Sequence, residues 1–216
     1  MAGLGIFEFP GLISPNGDIS SLISGIIAVI GSSIIAFVLT MIFHKEAPVG
    51  DSSSPKAEPV TVGPEKISAP LSGTIIPLED VEDEAFRSGM LGDGVAVSPS
   101  SGEVYAPVDG TLSVLFPTGH AIGITSTTGA ELLIHIGFNT VSLNGKYFTP
   151  MKKQGDTVKK GELILKFDKL KIEEEGFSTV TPVILSNSNN YSEIKKTEKE
   201  KIIPGETLLE LERRQE

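Results

Sequence analysis

The sequence predicts an all-β fold, an antiparallel β-sandwich or barrel built from two related hairpin units and preceded by one transmembrane helix and a flexible linker. Three observations carry this prediction. An apolar run without charges lies near the start of the 216-residue chain, and a stretch rich in proline and serine follows it. From Ile67 onward, short aliphatic runs recur between glycine, proline, aspartate and asparagine, which is typical of many short strands. Some of these runs resemble each other, which suggests a duplicated unit.

Residues 1–45 are predicted to contain one transmembrane helix, over about residues 19–43. No charged residue lies in this range, and a helix of that length spans a hydrocarbon core of about 30 Å. A signal peptide fits less well, because acidic residues but no lysine or arginine precede the run and no small-residue cleavage site follows it. Lys45 follows the run, so the positive-inside rule predicts that the C-terminal side lies in the cytoplasm.

Residues 46–66 hold several prolines and almost no large apolar side chain. Such a segment cannot bury a core, so we predict an extended, flexible linker. Residues 67–216 then form the β domain. Two short helices are expected inside it, one within "EDVEDEAFRSGM" at 79–90 and one within "LKIEEEGF" at 170–177.

An internal repeat supports the two-unit architecture. The segment "SAPLSGTI" at 68–75 returns as "YAPVDGTL" at 105–112, and both contain Ala-Pro-x-x-Gly-Thr followed by an aliphatic residue. The segment "QGDTVKKGELIL" at 154–165 is partly repeated by "PGETLLEL" at 204–211. In this second pair, a glycine followed by an acidic residue supplies a tight turn into a strand. Paired half-motifs of this kind indicate a barrel or sandwich assembled from two related hairpins.

The composition argues against several classes of function. The formal net charge is −10, which disfavours nucleic acid or anionic lipid as the main partner. The chain has no cysteine, so it has no disulfide framework, no thiolate zinc site and no cysteine nucleophile.

The β domain contains two histidines, His120 and His135. His135 interrupts the apolar run "ELLIHIGFNT" at 131–140, and a buried imidazole without a partner costs free energy. A turn within "TSTTGAE" separates the two histidines by similar distances on either side. Residues equidistant from a hairpin turn face each other, so we expect the two side chains to meet on one face.

Two facing imidazoles suit phosphoryl transfer. A neutral imidazole nitrogen is a nucleophile near neutral pH, and a second ring can donate a hydrogen bond to phosphoryl oxygens. Thr118 can orient the ring of His120 through its hydroxyl group, and Gly119 and Gly137 are expected to leave open space for the incoming group. A purely structural role for each histidine, or a zinc site with a third ligand, stays open at this point.

Nearly the whole β domain resembles, in order, the glucose-type enzyme IIA domain of the bacterial phosphoenolpyruvate-dependent sugar phosphotransferase system. The resemblance runs from about Ile67 to about Arg213 and implies an antiparallel β-sandwich or barrel. It is carried by segments that include "ISAPLSGTIIPLEDVEDEAF", "GDGVAVSP", "APVDGTL", "FPTGHAIGI", "ELLIHIGFNTVSLNGKYF", "GDTVKKGELILKFD" and "STVTPVILSN".

The resemblance implies a role for each site residue. His135 matches the histidine that accepts a phosphoryl group from phosphorylated HPr and passes it to a IIB domain. His120 matches the histidine that stabilises this group, and Thr118 matches the threonine that holds the second ring. No metal and no cofactor is implied, because the phosphoryl group is carried covalently. Asn139 stands where the better-known members have an aspartate. An apolar surface around the site is expected to dock the partners, with the candidates Phe86, Met90, Leu91, Val95 and Phe116.

The first 45 residues resemble the last transmembrane segment of a IIC domain. In the β-glucoside, sucrose and trehalose branch, IIB, IIC and IIA are fused with IIA at the C-terminus. The resemblance therefore implies the C-terminal part of such a permease, a phosphotransferase component at the cell membrane with its IIA domain on the cytoplasmic side. HPr, IIB and IIC would be its partners.

Three other functions remain open from the residues. One is a regulatory binding protein. Another is a biotinyl- or lipoyl-like module, for which Lys152 is the nearest candidate lysine. The third is a zinc peptidase, which needs a third metal ligand beside the two histidines.

Overall fold

The computed structural model describes residues 64–214, and this range is an assembly of short antiparallel strands. Its helices are α1 (Glu84–Arg87) and α2 (Lys169–Glu174), with 3-10 turns at Leu78–Asp80, Thr140–Leu143 and Ser188–Asn190. Its strands are β1 (Glu65–Ser68), β2 (Gly73–Pro77), β3 (Asp93–Pro99), β4 (Glu103–Tyr105), β5 (Gly110–Leu115), β6 (Ala121–Ser126), β7 (Glu131–His135), β8 (Phe148–Pro150), β9 (Thr157–Val158), β10 (Leu163–Phe167), β11 (Thr181–Leu185), β12 (Tyr191–Lys196), β13 (Lys201–Ile202) and β14 (Thr207–Arg213).

The strands form three sheets in which neighbouring strands run antiparallel. Two sheets have three strands each, in the orders β1-β14-β12 and β4-β10-β8, and the third has the order β13-β2-β3-β11-β7-β6-β5-β9. The all-β antiparallel prediction is therefore confirmed. β11 lies between β3 and β7, and every residue of this apolar strand is buried. The core draws on all three sheets, through residues such as Val104, Leu112, Ile134, Val183 and Leu209.

The first predicted repeat forms a direct pairing in the structure. The Ser68 N–H donates to the carbonyl oxygen of Pro107 (3.1 Å), and the Tyr105 N–H donates to that of Pro70 (2.7 Å). The two Ala-Pro segments therefore lie against each other and are joined by equivalent hydrogen bonds. Both are followed by a strand that starts at the repeated glycine, β2 in one unit and β5 in the other.

The second predicted repeat completes both units in the same way. The Ala106 N–H donates to the Glu162 carbonyl oxygen (2.8 Å), and the Ala69 N–H donates to the Glu206 carbonyl oxygen (2.8 Å). β9 then pairs with β5, as β13 pairs with β2. The structure thus contains two related units, as the paired motifs predict.

The β domain begins earlier than the sequence suggests. β1 starts at Glu65, two residues before the predicted boundary, and Glu65 pairs with Leu211 of β14. The Glu65 carboxylate also accepts hydrogen bonds from the hydroxyls of Ser126 (2.7 Å) and Thr128 in the β6–β7 turn. Glu65 and Lys66 are charged, so the hydrophobic pattern does not reveal that they belong to a strand.

Both expected short helices are present, as α1 and α2. No helix within residues 64–214 is long and apolar enough to cross a membrane. The predicted transmembrane helix over residues 19–43, and the predicted linker up to residue 63, lie outside the described residues.

Candidate active site

The two histidines of the domain lie side by side at the open end of the β6–β7 hairpin. Their ring centroids are 5.1 Å apart, and the ring planes are nearly perpendicular at 82°. The side chains therefore meet, as the hairpin argument predicts. The two histidines are not directly opposite each other, however. His135 pairs with Ala121, and His120 is the residue that precedes β6. The Ile136 N–H donates to the carbonyl oxygen of His120 (2.7 Å), which fastens the two residues through the backbone as well.

His120 is held by the turn between β5 and β6. Its side chain is 1% exposed, and its Nδ1 lies 2.5 Å from the Thr118 hydroxyl oxygen. When this hydroxyl donates to Nδ1, the neutral ring carries its proton on Nε2 and can donate from there. Phe116 packs edge-on against the ring, with centroids 5.1 Å apart. The turn therefore fixes both the position and the orientation of this imidazole.

His135 is half-buried at the end of β7, and its Nδ1 lies 2.7 Å from the carbonyl oxygen of Gly137. A carbonyl oxygen can only accept, so Nδ1 must carry the proton. The neutral ring then has its free lone pair on Nε2. Phe86 packs against the ring, with centroids 5.2 Å apart. The local backbone thus selects the nitrogen that is available as a nucleophile.

Both imidazoles are neutral near pH 7. Burial lowers the pKa of His120 to about 3, and repulsion from His135 when that ring is protonated acts in the same direction. Burial also lowers the pKa of His135, although the Gly137 carbonyl and the carboxylate of Asp83 act in the opposite direction. A neutral His135 keeps its nucleophilic lone pair, and a neutral His120 keeps one N–H to donate.

The buried, neutral state of His120 makes the stability of the domain sensitive to acid. At pH values below about 6.5, the usual pKa of histidine, His120 is protonated in the unfolded chain but stays neutral in the native state. Stability therefore falls as the pH drops from 7 towards 4, by up to about 1.4 kcal/mol per pH unit from this residue alone. Urea unfolding followed by circular dichroism at pH 7, 6 and 5 measures the loss. We expect the His120→Gln variant to lose less stability than the wild type, and equal losses would contradict a lowered pKa.

The two site glycines do not leave open space, which corrects the sequence-based expectation. A Cβ atom at Gly137 would overlap the Ser178 carbonyl oxygen, and one at Gly119 would lie 2.9 Å from Cβ of Phe148. Both residues have positive φ angles, of 74° and 70°. They are therefore needed for the backbone path and for close packing around the rings.

The predicted docking surface is only partly exposed. Met90 is 75% exposed and Phe116 is half-buried, so the side chains of these two candidates reach the surface. Val95 is 2% exposed and belongs to the core, and Leu91 and Phe86 are also buried. Burial of these three side chains does not fit an exposed contact, and Phe86 instead packs against the ring of His135.

Two residues near the site, Asp83 and Phe138, are not among the candidates that the sequence supplies. Asp83 caps the N-terminus of α1 by accepting a hydrogen bond from the Ala85 N–H (2.9 Å), and its charge offsets part of the lowering of the His135 pKa by burial. A capping aspartate before a short helix was the available signal. Phe138 packs on Phe86, with ring centroids 5.9 Å apart. Asp83 thus supplies a negative charge near the site, although Asn139 is neutral.

Two of the alternative functions lack support in the structure. The Lys152 ammonium group is paired with the Glu162 carboxylate, and its side chain is only 27% exposed, so it is not presented at a free tip as a carrier lysine would be. Within residues 64–214, no three histidine, aspartate or glutamate side chains are grouped so that they could hold a metal ion.

Comparison with known proteins identifies relatives of two lengths. The β-glucoside-specific EIIBCA component of a sugar phosphotransferase system (PTS) from Halalkalibacterium halodurans is 41% identical over 218 residues, which cover 99% of this chain and 34% of that protein. The corresponding component from Dickeya chrysanthemi is 38% identical over 95% of this chain and 34% of its own length. The chain thus spans about one third of the length of these curated relatives.

Shorter relatives match the β domain. The glucose-specific EIIA component of Oceanobacillus iheyensis is 46% identical over 143 residues, which cover 66% of this chain and 87% of that protein. The solved structure of glucose permease IIA from Mycoplasma capricolum has a TM-score of 0.65 at 37% identity, and the match covers 68% of this chain and 95% of that one. A family model also matches residues 65–191. The chain therefore belongs to the family of phosphoenolpyruvate-dependent sugar phosphotransferase system EIIA 1.

Proposed function

We propose that this chain carries phosphoryl groups for sugar uptake, with His135 as the residue that accepts and donates them. The observation that supports this most directly is the hydrogen bond between Nδ1 of His135 and the Gly137 carbonyl oxygen, 2.7 Å apart. It leaves the lone pair of Nε2 free for attack on phosphorus. The phosphoryl donor is phosphorylated HPr, and the acceptor is a IIB domain.

The accepting step is a displacement at phosphorus. The Nε2 lone pair of His135 forms the new N–P bond while the N–P bond to the donor histidine breaks, and the electron pair of that bond returns to the donor nitrogen. The phosphorylated His135 ring gains positive charge, and its Nδ1–H shares that charge with the Gly137 carbonyl oxygen. The same group then leaves in the reverse sense when the IIB domain attacks.

His120 stabilises the transferred group without accepting it. Thr118 lies 2.5 Å from Nδ1 of His120, and donation from its hydroxyl directs Nε2–H away from the turn. The perpendicular rings, 5.1 Å apart, suit donation from this N–H to a phosphoryl oxygen on His135. A fixed donor of this kind costs no reorganisation when charge develops in the transition state.

The whole protein would be a membrane permease for a β-glucoside. Two relatives that cover nearly all of this chain bear that specificity in their names, and both are EIIBCA components. We therefore propose IIB and IIC domains as partners, location at the cell membrane, and a cytoplasmic position for the IIA domain. The sugar is recognised by parts of the permease beyond the IIA domain, so sucrose and trehalose are outcomes that uptake assays must separate from β-glucosides.

The test is transfer of labelled phosphate to the full chain. The chain is incubated with enzyme I, HPr and phosphoenolpyruvate that carries 32P, and the labelled protein is treated with acid or alkali. We expect a label that acid removes and alkali does not, which is the behaviour of a phosphohistidine. Omission of HPr should abolish the label. An unlabelled chain in a reaction where HPr itself is labelled would overturn the proposal.

A further inference from the structure

Thr140 is a buried threonine close to His135 in sequence, and the proposed transfer steps do not use it. Thr140 is 0% exposed and begins the 3-10 turn Thr140–Leu143. Its hydroxyl donates to the carbonyl oxygen of Ile136 at 2.6 Å. Burying a hydroxyl is costly unless it is bonded, so this contact must offset the loss of water at both groups. The bond closes the loop that follows His135.

That loop contains two consecutive peptide groups that are each held at both ends. In the first, the Ile136 carbonyl accepts from Thr140, and the Gly137 N–H donates to the Val180 carbonyl oxygen (3.1 Å). In the second, the Gly137 carbonyl accepts from His135, and the Phe138 N–H donates to a backbone carbonyl of the segment that follows α2 (3.3 Å). The two groups share the Cα atom of Gly137, so a displacement of the first also changes the direction of the Gly137 carbonyl.

The methyl group of Thr140 adds a second restraint. Its Cγ2 atom lies 2.6 Å from the position that a Cβ atom on Gly137 would occupy, so the methyl packs against the glycine backbone. The first peptide group also connects to the second histidine, since the Ile136 N–H donates to the His120 carbonyl oxygen (2.7 Å). One side chain thus restrains the backbone that both imidazoles use.

We propose that Thr140 is a positioning residue that fixes the proton of His135 on Nδ1. By holding the Ile136 carbonyl, its hydroxyl keeps the Gly137 carbonyl aimed at Nδ1, and the lone pair stays on Nε2. The effect on phosphoryl transfer rests on the proposed function, whereas the effect on the tautomer does not. Without the hydroxyl, the first peptide group keeps only its bond to Val180 and can tilt. The competing tautomer with the proton on Nε2 has no lone pair where the phosphoryl group arrives.

The experiment reads the tautomer directly. The full chain, which has three histidines, is labelled with 15N at histidine only, and long-range 1H–15N spectra near pH 7.5 distinguish the two tautomers. Thr140→Val keeps the methyl group and removes the hydroxyl, while Thr140→Ser keeps the hydroxyl. Ser68→Ala is the matched control, because Ser68 is also buried and donates to a backbone carbonyl, that of Pro107 at 2.7 Å, away from the histidines. Circular dichroism verifies that each variant is folded.

We expect wild type, Thr140→Ser and Ser68→Ala to show His135 with the proton on Nδ1. Thr140→Val should show a mixture of tautomers and accept phosphoryl groups about tenfold more slowly, as expected for a misplaced reacting group. If Thr140→Val does not fold, Thr140→Cys, whose thiol is a weak donor, should give a smaller shift in the same direction. An unchanged tautomer in the folded variant would overturn the role of Thr140. A wild type with the Nδ1 proton that accepts no phosphoryl group would instead overturn the proposed function.

Discussion

We expect the His135→Gln variant to take up no phosphoryl group from phosphorylated HPr. The glutamine amide fills much of the same space but has no nucleophilic nitrogen lone pair, so the N–P bond cannot form. Loss of a nucleophile typically slows a reaction by a factor on the order of a million, which places the variant below detection. The measurement is incorporation of 32P from phosphoenolpyruvate in the presence of enzyme I and HPr, relative to wild type.

The same substitution at the third histidine is a matched control. His44 lies outside the β domain, next to the predicted membrane segment, so His44→Gln should be labelled at the wild-type rate. Circular dichroism shows whether His135→Gln retains its fold. A folded His135→Gln variant that still carries an acid-labile label would place the acceptor elsewhere.

The second large effect concerns the His120→Gln variant. We expect it still to accept phosphoryl groups from phosphorylated HPr, but to transfer them to the IIB domain about 100- to 1,000-fold more slowly. A phosphoryl group on His135 is a dianion beside His120, and a nearby negative charge raises the pKa of an imidazole. The ring can therefore gain positive charge while the group is held and transferred. An amide can donate a hydrogen bond, but it cannot change its charge.

A two-stage experiment measures acceptance from HPr and transfer to the IIB domain separately. The variant is first labelled through HPr, freed of the donor and then mixed rapidly with a IIB domain and sugar. The wild type should lose its label quickly, and His120→Gln should retain it. Normal onward transfer from the variant would remove the stabilising role of His120 and leave that ring as a packing residue.

Much of the fold could be predicted because its signals are local. Short aliphatic runs between turn residues indicate the strands. The repeated Ala-Pro-x-x-Gly-Thr motif corresponds to a pairing between residues 68–70 and 105–107. The meeting of His120 and His135 follows from their similar distances to one hairpin turn. Local spacing is enough for the two histidines, and the pairing of the more distant Ala-Pro segments is revealed by their repeated motif.

The features that were missed depend on contacts between distant segments. The sequence predicts open space beside Gly137. The carbonyl group of Ser178, 41 positions later in the sequence, fills that space. Val95 and Met90 are five positions apart in the sequence and both apolar, but one faces the core and the other faces solvent. Only the packing of β3 against the rest of the sheet decides between them. A hydrophobic pattern cannot supply this information.

The bond between Glu65 and the β6–β7 turn places the start of the described domain at the tip of that hairpin. The hydroxyls of Ser126 and Thr128 bind this carboxylate at the tip of the hairpin, whereas the histidines lie at its open end. A strand the length of β7 separates these ends by about 17 Å. Tension applied through residue 64 would therefore act on the pole of the domain that faces away from the imidazoles. The partners proposed above, HPr and a IIB domain, would therefore approach the pole of the domain opposite to residue 64.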